Sequence, residues 1–401
     1  MSKLREIFKK ESSYLPFLIS VAAFGLSYGM YKGAIDNYMA EIVGAGEFQR
    51  GVTEFFRELP GLLLVFVLAV FYNFTAETIY KLGTVFLFIG IAMHAIVPPQ
   101  ITIVIISIFV MSFGEHLQLG MKSILPLQYA QPGKSGQALG LQSSSDNFGK
   151  LLGYIVIAIY FMFADSSEKS YKLLFMISAL LMLITVIAAF KIKGSSKQAN
   201  PSSRFYFKKK FVKYYMLEVF YGARKQVFLT FGPYVLILFY GASASVISLL
   251  FAVSAIACLI AAPLVGKIID RVGYKIVMIM DTVILVVVCL AYGFAHHIFS
   301  MHTAFIICCV NYVLDAVISL ASMASNVYVH DLSDSEEETK ATISTGISVN
   351  HTITILIALF GGWVWETVGI ETLFIISAVL GLCNSAYAAT IKTPKKEQLT
   401  Q

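Results

Sequence analysis

The chain has 401 residues, 57% of them hydrophobic and 13% charged, with a formal net charge of +6. Soluble domains run about 45–50% apolar and about 25% charged, so this composition excludes a sizeable soluble domain. The basic excess flanks apolar runs, where it sets membrane topology and gives no ground for a nucleic-acid partner.

The N-terminal segment MSKLREIFKKESSYLPF is basic and leads into an apolar run. That run continues through FLISVAAFGLSYGM into a polar helical face without a cleavage signal, so it reads as a retained first helix. Apolar runs of about 20 residues, enough to cross a hydrocarbon core of about 30 Å, predict helices near 14–43, 52–74, 82–98, 100–121, 136–163 and 171–193. Only Pro98, Pro99 and Gln100 separate the third from the fourth. A second set is predicted near 211–240, 244–265, 274–296, 300–327, 339–365 and 370–391, after the polar, basic stretch KIKGSSKQANPSSRFYFKKKF. The expected architecture is an all-α integral membrane protein of twelve transmembrane helices in two pseudo-symmetric six-helix bundles. Residues 1–193 form the first bundle, 194–210 a cytoplasmic linker, and 211–401 the second bundle with a short cytoplasmic tail.

Orientation follows from lysine and arginine. Lys3, Arg5, Lys9 and Lys10, the linker cations Lys191, Lys193, Lys197, Arg204, Lys208, Lys209 and Lys210, then Lys267, Arg271 and Lys275, and the tail Lys392, Lys395 and Lys396 all fall on one side. The opposite loops carry only Arg50, Lys169 and Lys172. Both termini are therefore expected in the cytoplasm. The acidic loop HDLSDSEEETK does not change this, since acidic residues contribute little to orientation.

The two halves carry traces of one repeat. YGMYK at 28–32 and YGARK at 221–225 place Tyr28, Gly29 and Lys32 onto Tyr221, Gly222 and Lys225 at one offset. The same offset carries Asn73 and Glu77 onto Gly266 and Asp270, and a slightly larger one carries Lys134 and Gly140 onto Lys340 and Gly346. Such internal symmetry is expected of a duplicated transporter fold.

After the eighth predicted helix the chain reads GKIIDRVGYK. Gly266, Asp270, Arg271 and Gly273, with Lys275 one position late, resemble the loop signature of the major facilitator superfamily. The resemblance implies two six-helix halves rocking around a central site, and a cytoplasmic gate in which Asp270 pairs with basic residues and a helix end. The matching stretch after the second helix, NFTAETIYKLG, keeps an acid in Glu77 but lacks the arginine and the first glycine.

An ionisable side chain at a helix centre costs about 2.5–3.5 kcal/mol on insertion scales, so it needs a partner or a water-filled cavity. In the first helix Tyr28, Lys32 and Asp36 recur every four residues on one face. In the seventh, Glu218, Gly222 and Lys225 share a face, with Tyr221 and Arg224 on the adjoining one. Glu54, Arg57 and Glu58 lie on the second helix, Glu115 and His116 on the fourth, Asp146 and Lys150 on the fifth, Asp281 and Asp315 on the ninth and tenth, and Asn350 and His351 on the eleventh. Two readings stand for Lys32 with Asp36: a same-helix ion pair that permits insertion, or a substrate cation beside a coupling acid. Arg57, flanked by two glutamates, reads equally as a gating pair.

A cation in each of helices one and seven resembles the organophosphate and phosphate antiporters of that superfamily, whose paired cations hold anionic oxygen. That resemblance implies a substrate site of Lys32, Arg224, Lys225, Tyr28, Tyr221 and Arg57, facing a small organic anion or phosphorylated metabolite. Asp36, Glu218, Glu115, Glu58 and His351 are the candidates for proton coupling or charge pairing. An exporter of amphipathic or cationic compounds, or a lipid-handling carrier, is the alternative.

The cysteines Cys258, Cys289, Cys308, Cys309 and Cys383 lie in apolar runs at no metal-ligand spacing. His296 and His297 in a short outer loop read as solvated residues or as metal ligands, the former preferred. Gly136 with Gly140, and Gly149 with Gly153, have a spacing that permits close helix packing. No phosphate-binding loop is present, so transport is expected to draw on an ion or substrate gradient. No cofactor, metal or catalytic group is expected, and no enzyme activity. The expected setting is a monomer in a bacterial cytoplasmic membrane, with lipid, substrate and a coupling ion as partners.

Overall fold

A computed structural model of the chain describes residues 2–10, 12–71, 74–193 and 207–391. Asn73, Lys197, Arg204, Lys392, Lys395, Lys396 and most of the predicted linker lie outside the described residues, as do the side chains of Lys3, Arg5 and Lys340.

Beyond a short helix at Ser2–Ile7, the described residues form twelve long helices. The first six are α1 (Tyr14–Glu41), α2 (Glu47–Val70), α3 (Ala76–Ile96), α4 (Ile101–Tyr129), α5 (Ser135–Phe163) and α6 (Glu168–Phe190). The second six are α7 (Val212–Leu238), α8 (Ala244–Val272), α9 (Tyr274–Ile298), α10 (Met301–Leu332), α11 (Glu336–Thr367) and α12 (Ile370–Ala389). A 3-10 turn at Ser319–Ser322 interrupts α10. Ten of them are long and apolar enough to cross a membrane. The other two, α2 and α7, carry Arg50, Glu54, Arg57 and Glu58, and Lys213, Glu218, Arg224 and Lys225.

The helix starts follow local chemistry. Thr75, Ser167, Ser300 and Ser335 cap α3, α6, α10 and α11 by accepting the amide hydrogen three residues on, which satisfies a donor that the helix leaves open. At α11 the Glu338 carboxylate reaches back past the Ser335 cap and accepts from the Asp334 amide at 2.7 Å, which satisfies a further donor ahead of the helix. Glu338 also receives Lys208 at 2.8 Å and Lys210 at 2.6 Å, and Lys210 meets Asp334 at 2.7 Å. These carboxylates hold the Lys210 ammonium above its ordinary pKa. The basic end of the linker is thus tied to the acidic turn before α11.

Residues 1–202 with 233–255 form one compact unit, and residues 203–232 with 256–401 a second. In the first unit α1 packs on α5 and α6, α3 on α4 and α6, and α2 on α4. In the second, α9 packs on α10 and α12. The pairs α3–α4 and α3–α6 therefore recur six helices later as α9–α10 and α9–α12, as a duplicated bundle requires.

The contact of α1 with α5 is made of glycine. A Cβ on Gly149 would lie 2.7 Å from the Ala22 carbonyl oxygen, and one on Gly153 2.5 Å from the Met30 nitrogen. Backbones that close leave room only for hydrogen, and the expected small-residue spacing is realised here. Gly136 and Gly140 differ, with nothing near where a Cβ would be. Following the same register backwards brings them level with the first turn of α1, where the contact runs out.

Three expectations of the sequence shift. Arg50, Lys169 and Lys172 are not loop residues: α2 begins at Glu47 and α6 at Glu168, so all three lie on helices. The GKIIDR stretch is likewise helical, because α8 continues to Val272. The break comes at Gly273, whose φ of +87° only glycine adopts cheaply, and α9 starts at the next residue.

Candidate functional site

In the first unit α1 and α2 bring their charges into one alternating chain. Lys32 meets Asp36 at 3.0 Å, and Asp36 meets Arg50 at 3.5 Å. Arg50 donates to Glu54 at 2.9 Å, and Glu54 receives Arg57 at 2.6 Å through its other oxygen. Arg57 also pairs with Glu58. The spacing explains the pattern: residues three or four apart stack along a helix face, which accounts for Lys32 with Asp36, Arg50 with Glu54, and Glu54 with Arg57. Arg50 bridges the two helices, and its guanidinium also lies 5.5 Å from the centre of the Tyr234 ring.

The two end cations of this chain are more exposed than their acids, while Arg50 in its middle is as buried as the carboxylates it joins. Lys32 and Arg57 are 27% and 24% exposed, whereas their partners Asp36 and Glu54 are 3% and 2% exposed. On α5, Lys150, 26% exposed, sits 3.0 Å from Asp146, 13% exposed. Lys122 approaches the same carboxylate at 3.7 Å and stands 3.4 Å over the Phe24 ring, a contact worth about 2 kcal/mol when desolvated.

Tyr28 is where these elements meet. Its ring lies 5.6 Å from the Lys150 ammonium, and Arg57, Glu115 and Tyr154 are its electrostatic neighbours. Helices α2, α4 and α5 therefore each contribute a polar side chain around this tyrosine of α1. Among the described residues Glu115 keeps one carboxylate oxygen, Oε2, without a hydrogen-bond partner.

In the second unit Arg224 is fully buried and donates to Asp281 of α9 at 2.8 Å. Its Nε and Nη1 make no hydrogen bond, and its guanidinium stacks 4.8 Å from the Tyr221 ring. Tyr221 donates to the Ser319 carbonyl at 2.8 Å, at the 3-10 turn in α10. Glu218 accepts from Ser325 at 3.1 Å and Asn350 at 3.3 Å. A small pocket lies among Leu217, Glu218, Tyr221, Met278, Asp281 and Ser325. Lys225 is half-buried, 5.7 Å from the Tyr221 ring, and makes no ion pair among the described residues. Asp315 lies in the field of both Arg224 and Lys225.

Each expected site residue thus has a definite place. Tyr28, Lys32, Asp36, Arg57, Glu58 and Glu115 gather in the first unit, and Tyr221, Arg224, Lys225 and Glu218 in the second. His351, on α11 of the second unit, is half-buried. Asp270 and Arg271 are exposed in the last turn of α8, next to Gly273, and neither makes an ion pair among the described residues. Glu54, Asp146 and Lys150 are marked by the sequence as buried charges but not as site residues, and two further members of the first cluster are not marked as buried charges at all. Arg50 was placed in a loop because its helix begins earlier than the apolar run, and Lys122 sits near the end of α4, past the predicted boundary at 121. The signal for Arg50 was its spacing of four from Glu54.

Residues 214–401 match the family model of the Major Facilitator Superfamily. No curated protein matches the chain in sequence. Among solved structures the chain is similar to the nucleoside transporter NupG, with a TM-score of 0.75 at 17% identity over 95% of this chain and 100% of that one. It is similar to a D-xylose-proton symporter, at 0.69 and 15% over 96% and 98%, and to the xylose transporter XylE from E. coli, at 0.70 and 13% over 97% and 98%.

Proposed function

We propose a substrate class for a chain that belongs to the major facilitator superfamily by sequence over residues 214–401 and by fold over nearly its whole length. It is a multi-pass membrane transporter and not an enzyme, and its fold is that of secondary transporters. The substrate we infer is a small organic anion or phosphorylated metabolite, moved by alternating access and driven by a proton gradient or by exchange. Binding would fall to Lys32, Arg57, Tyr28, Lys225, Tyr221 and Arg224. Asp36, Glu58, Glu115, Glu218 and His351 would supply coupling or charge pairing.

The observation that carries this reading is the exposure of three paired cations, Lys32, Arg57 and Lys150, beside more deeply buried acids. Cations and carboxylates occur in near balance, so net charge does not select a substrate. Lys32, Arg57 and Lys150 are each more exposed than the acids they pair with, while Arg50, Lys122 and Arg224 are buried about as deeply as theirs, so the cations open to an arriving solute are these first three together with the half-buried Lys225. An arriving anion meets ammonium and guanidinium first, and guanidinium matches a phosphate or carboxylate with two parallel donors. The second reading, a cationic or amphipathic substrate, rests on Glu115 and its open carboxylate oxygen.

Uptake into proteoliposomes of matched anionic, neutral and cationic solutes, with and without an imposed pH gradient, tests both. Anion flux that falls at least about tenfold in Lys225→Met, the loss of a charge-assisted contact worth about 1.5–3 kcal/mol, is the expected result. Lys225 is the apt choice because its removal strands no paired carboxylate. Intact flux of every transported solute in that variant would remove the anion site, and flux indifferent to the pH gradient would remove proton coupling alone. The excess of cations at Lys9, Lys10, Lys191, Lys193 and Lys208 to Lys210 supports cytoplasmic termini, and the same proteoliposomes report whether a monomer suffices.

A further inference from the structure

The C-terminal turn of α9 and the N-terminal turn of α12 meet at the end of the second unit away from Gly273. Gly293 allows this approach, since a Cβ there would already touch the Glu371 Cα at 3.4 Å. Gly369, with φ +123°, turns the chain into α12 just before Glu371. The two histidines that end α9 then converge on one carboxylate oxygen. His297 Nε2 lies 2.8 Å and His296 Nε2 3.4 Å from Glu371 Oε1. The two rings sit with centroids 3.9 Å apart.

Two simpler roles need only part of this. Histidine at a helix C-terminus and glutamate at an N-terminus complement the helix dipoles wherever their side chains point. A single imidazole hydrogen bond satisfies the carboxylate. Neither role requires adjacent residues, about 100° apart around a helix, to aim the same ring nitrogen at the same oxygen. The ligand atoms all fall within 4.8 Å of one another. Zinc–nitrogen and zinc–oxygen bonds of about 2.0–2.2 Å in a tetrahedron put neighbouring ligand atoms about 3.3 Å apart, close to what the side chains already show. His297 is 55% exposed, which leaves a side open for a water as fourth ligand.

We propose that His296, His297 and Glu371 form a binding site for a divalent transition metal, zinc above all. Two imidazoles and a carboxylate suit zinc, nickel or cobalt and not calcium or magnesium, which take oxygen. A bound ion would join the end of α9 to the start of α12. The site stands apart from the charge clusters assigned to transport, so its test is independent of the substrate.

The experiment is calorimetric titration of Zn²⁺ into the purified full-length protein, carrying an affinity tag without histidine, alongside the visible spectrum of bound Co²⁺. One ion per chain is expected, with the absorption of a four-coordinate cobalt site. His297→Ala and Glu371→Gln should each weaken binding by about tenfold or more, while His302→Ala, on the exposed first turn of α10, should bind as the parent does. Zn²⁺ should raise the melting temperature of the parent but not of His297→Ala, whose exposed side chain makes loss of folding an insufficient explanation. Absence of stoichiometric binding, or binding undiminished in both ligand variants, would overturn the site.

Discussion

Arg224 shows how a buried charge is tolerated and how its role is tested. It is 0% exposed, and its one carboxylate partner, Asp281, is 6% exposed and 57 positions away in sequence. Removing one member of a buried pair strands the other and costs about 3–5 kcal/mol, whereas replacing both with apolar groups of similar size is near neutral. Asp281→Leu should therefore lower the melting temperature sharply, and Arg224→Met combined with Asp281→Leu should restore most of it. If the restored double variant also transports, Arg224 is a structural cation and the substrate contact passes to Lys225; if it is stable but inactive, Arg224 touches the substrate. Detergent melting curves and proteoliposome flux separate these outcomes. Most of the ionisable residues were legible in the sequence because they interrupt apolar runs, Arg50 and Lys122 at helix ends being the exceptions. Their partners were legible only within one helix, as for Lys32 with Asp36. Asp281 lies across a fold contact that spacing does not reveal, and the bridge from Asp36 to Arg50 needs the true start of α2.

At the scale of elements, the α1–α5 contact depends on the absence of side chains. Gly149 and Gly153 of α5 lie against the backbone of α1 around Ala22, Leu26 and Met30, and backbone does not move aside as a flexible side chain does. Gly153→Leu should cost at least about 1–3 kcal/mol, the usual penalty for overpacking, and should move α1 and with it Tyr28 and Lys32. Gly140→Ala on the same helix meets open space, so it should be neutral or stabilise by up to about 1 kcal/mol through helix propensity. Melting temperatures of the two variants, measured together, test the contact; equal behaviour would contradict it. The helices were legible because their apolar runs are long and their breaks chemically marked, as at Pro98 and Pro99. The spacing of small residues was legible too, but not which pair was used, because a four-residue interval does not say where the neighbouring helix begins. The reading of GKIIDR as a loop failed for a related reason. Its charges suit an exposed helix end as well as a turn, and only Gly273 forces the break.

For the whole molecule, the two units carry unequal sequence signatures on related packing. The family match covers 214–401, and the signature that is intact at Gly266 to Gly273 has only Glu77 to answer it in the first unit. Glu77 is buried in the first turn of α3, behind the Thr75 cap, whereas Asp270 is exposed in the last turn of α8. A carboxylate enclosed at a helix start and one exposed at a helix end face different demands, so the two copies are free to diverge while α3–α4 and α9–α10 keep their pairing. Topology is the property that both copies must still share, since an even number of crossings returns the chain to the side on which it began. The proposed cytoplasmic placement of the cations near the N-terminus and the linker predicts that the turn between α5 and α6 faces out and the turn between α8 and α9 faces in. In a chain whose five native cysteines are replaced, Ser166→Cys should react with a membrane-impermeant maleimide in intact cells. Lys267→Cys, exposed near the end of α8, should react only after the membrane is opened. The reverse pattern would invert the protein in the membrane and place the His296, His297 and Glu371 cluster on the cytoplasmic side.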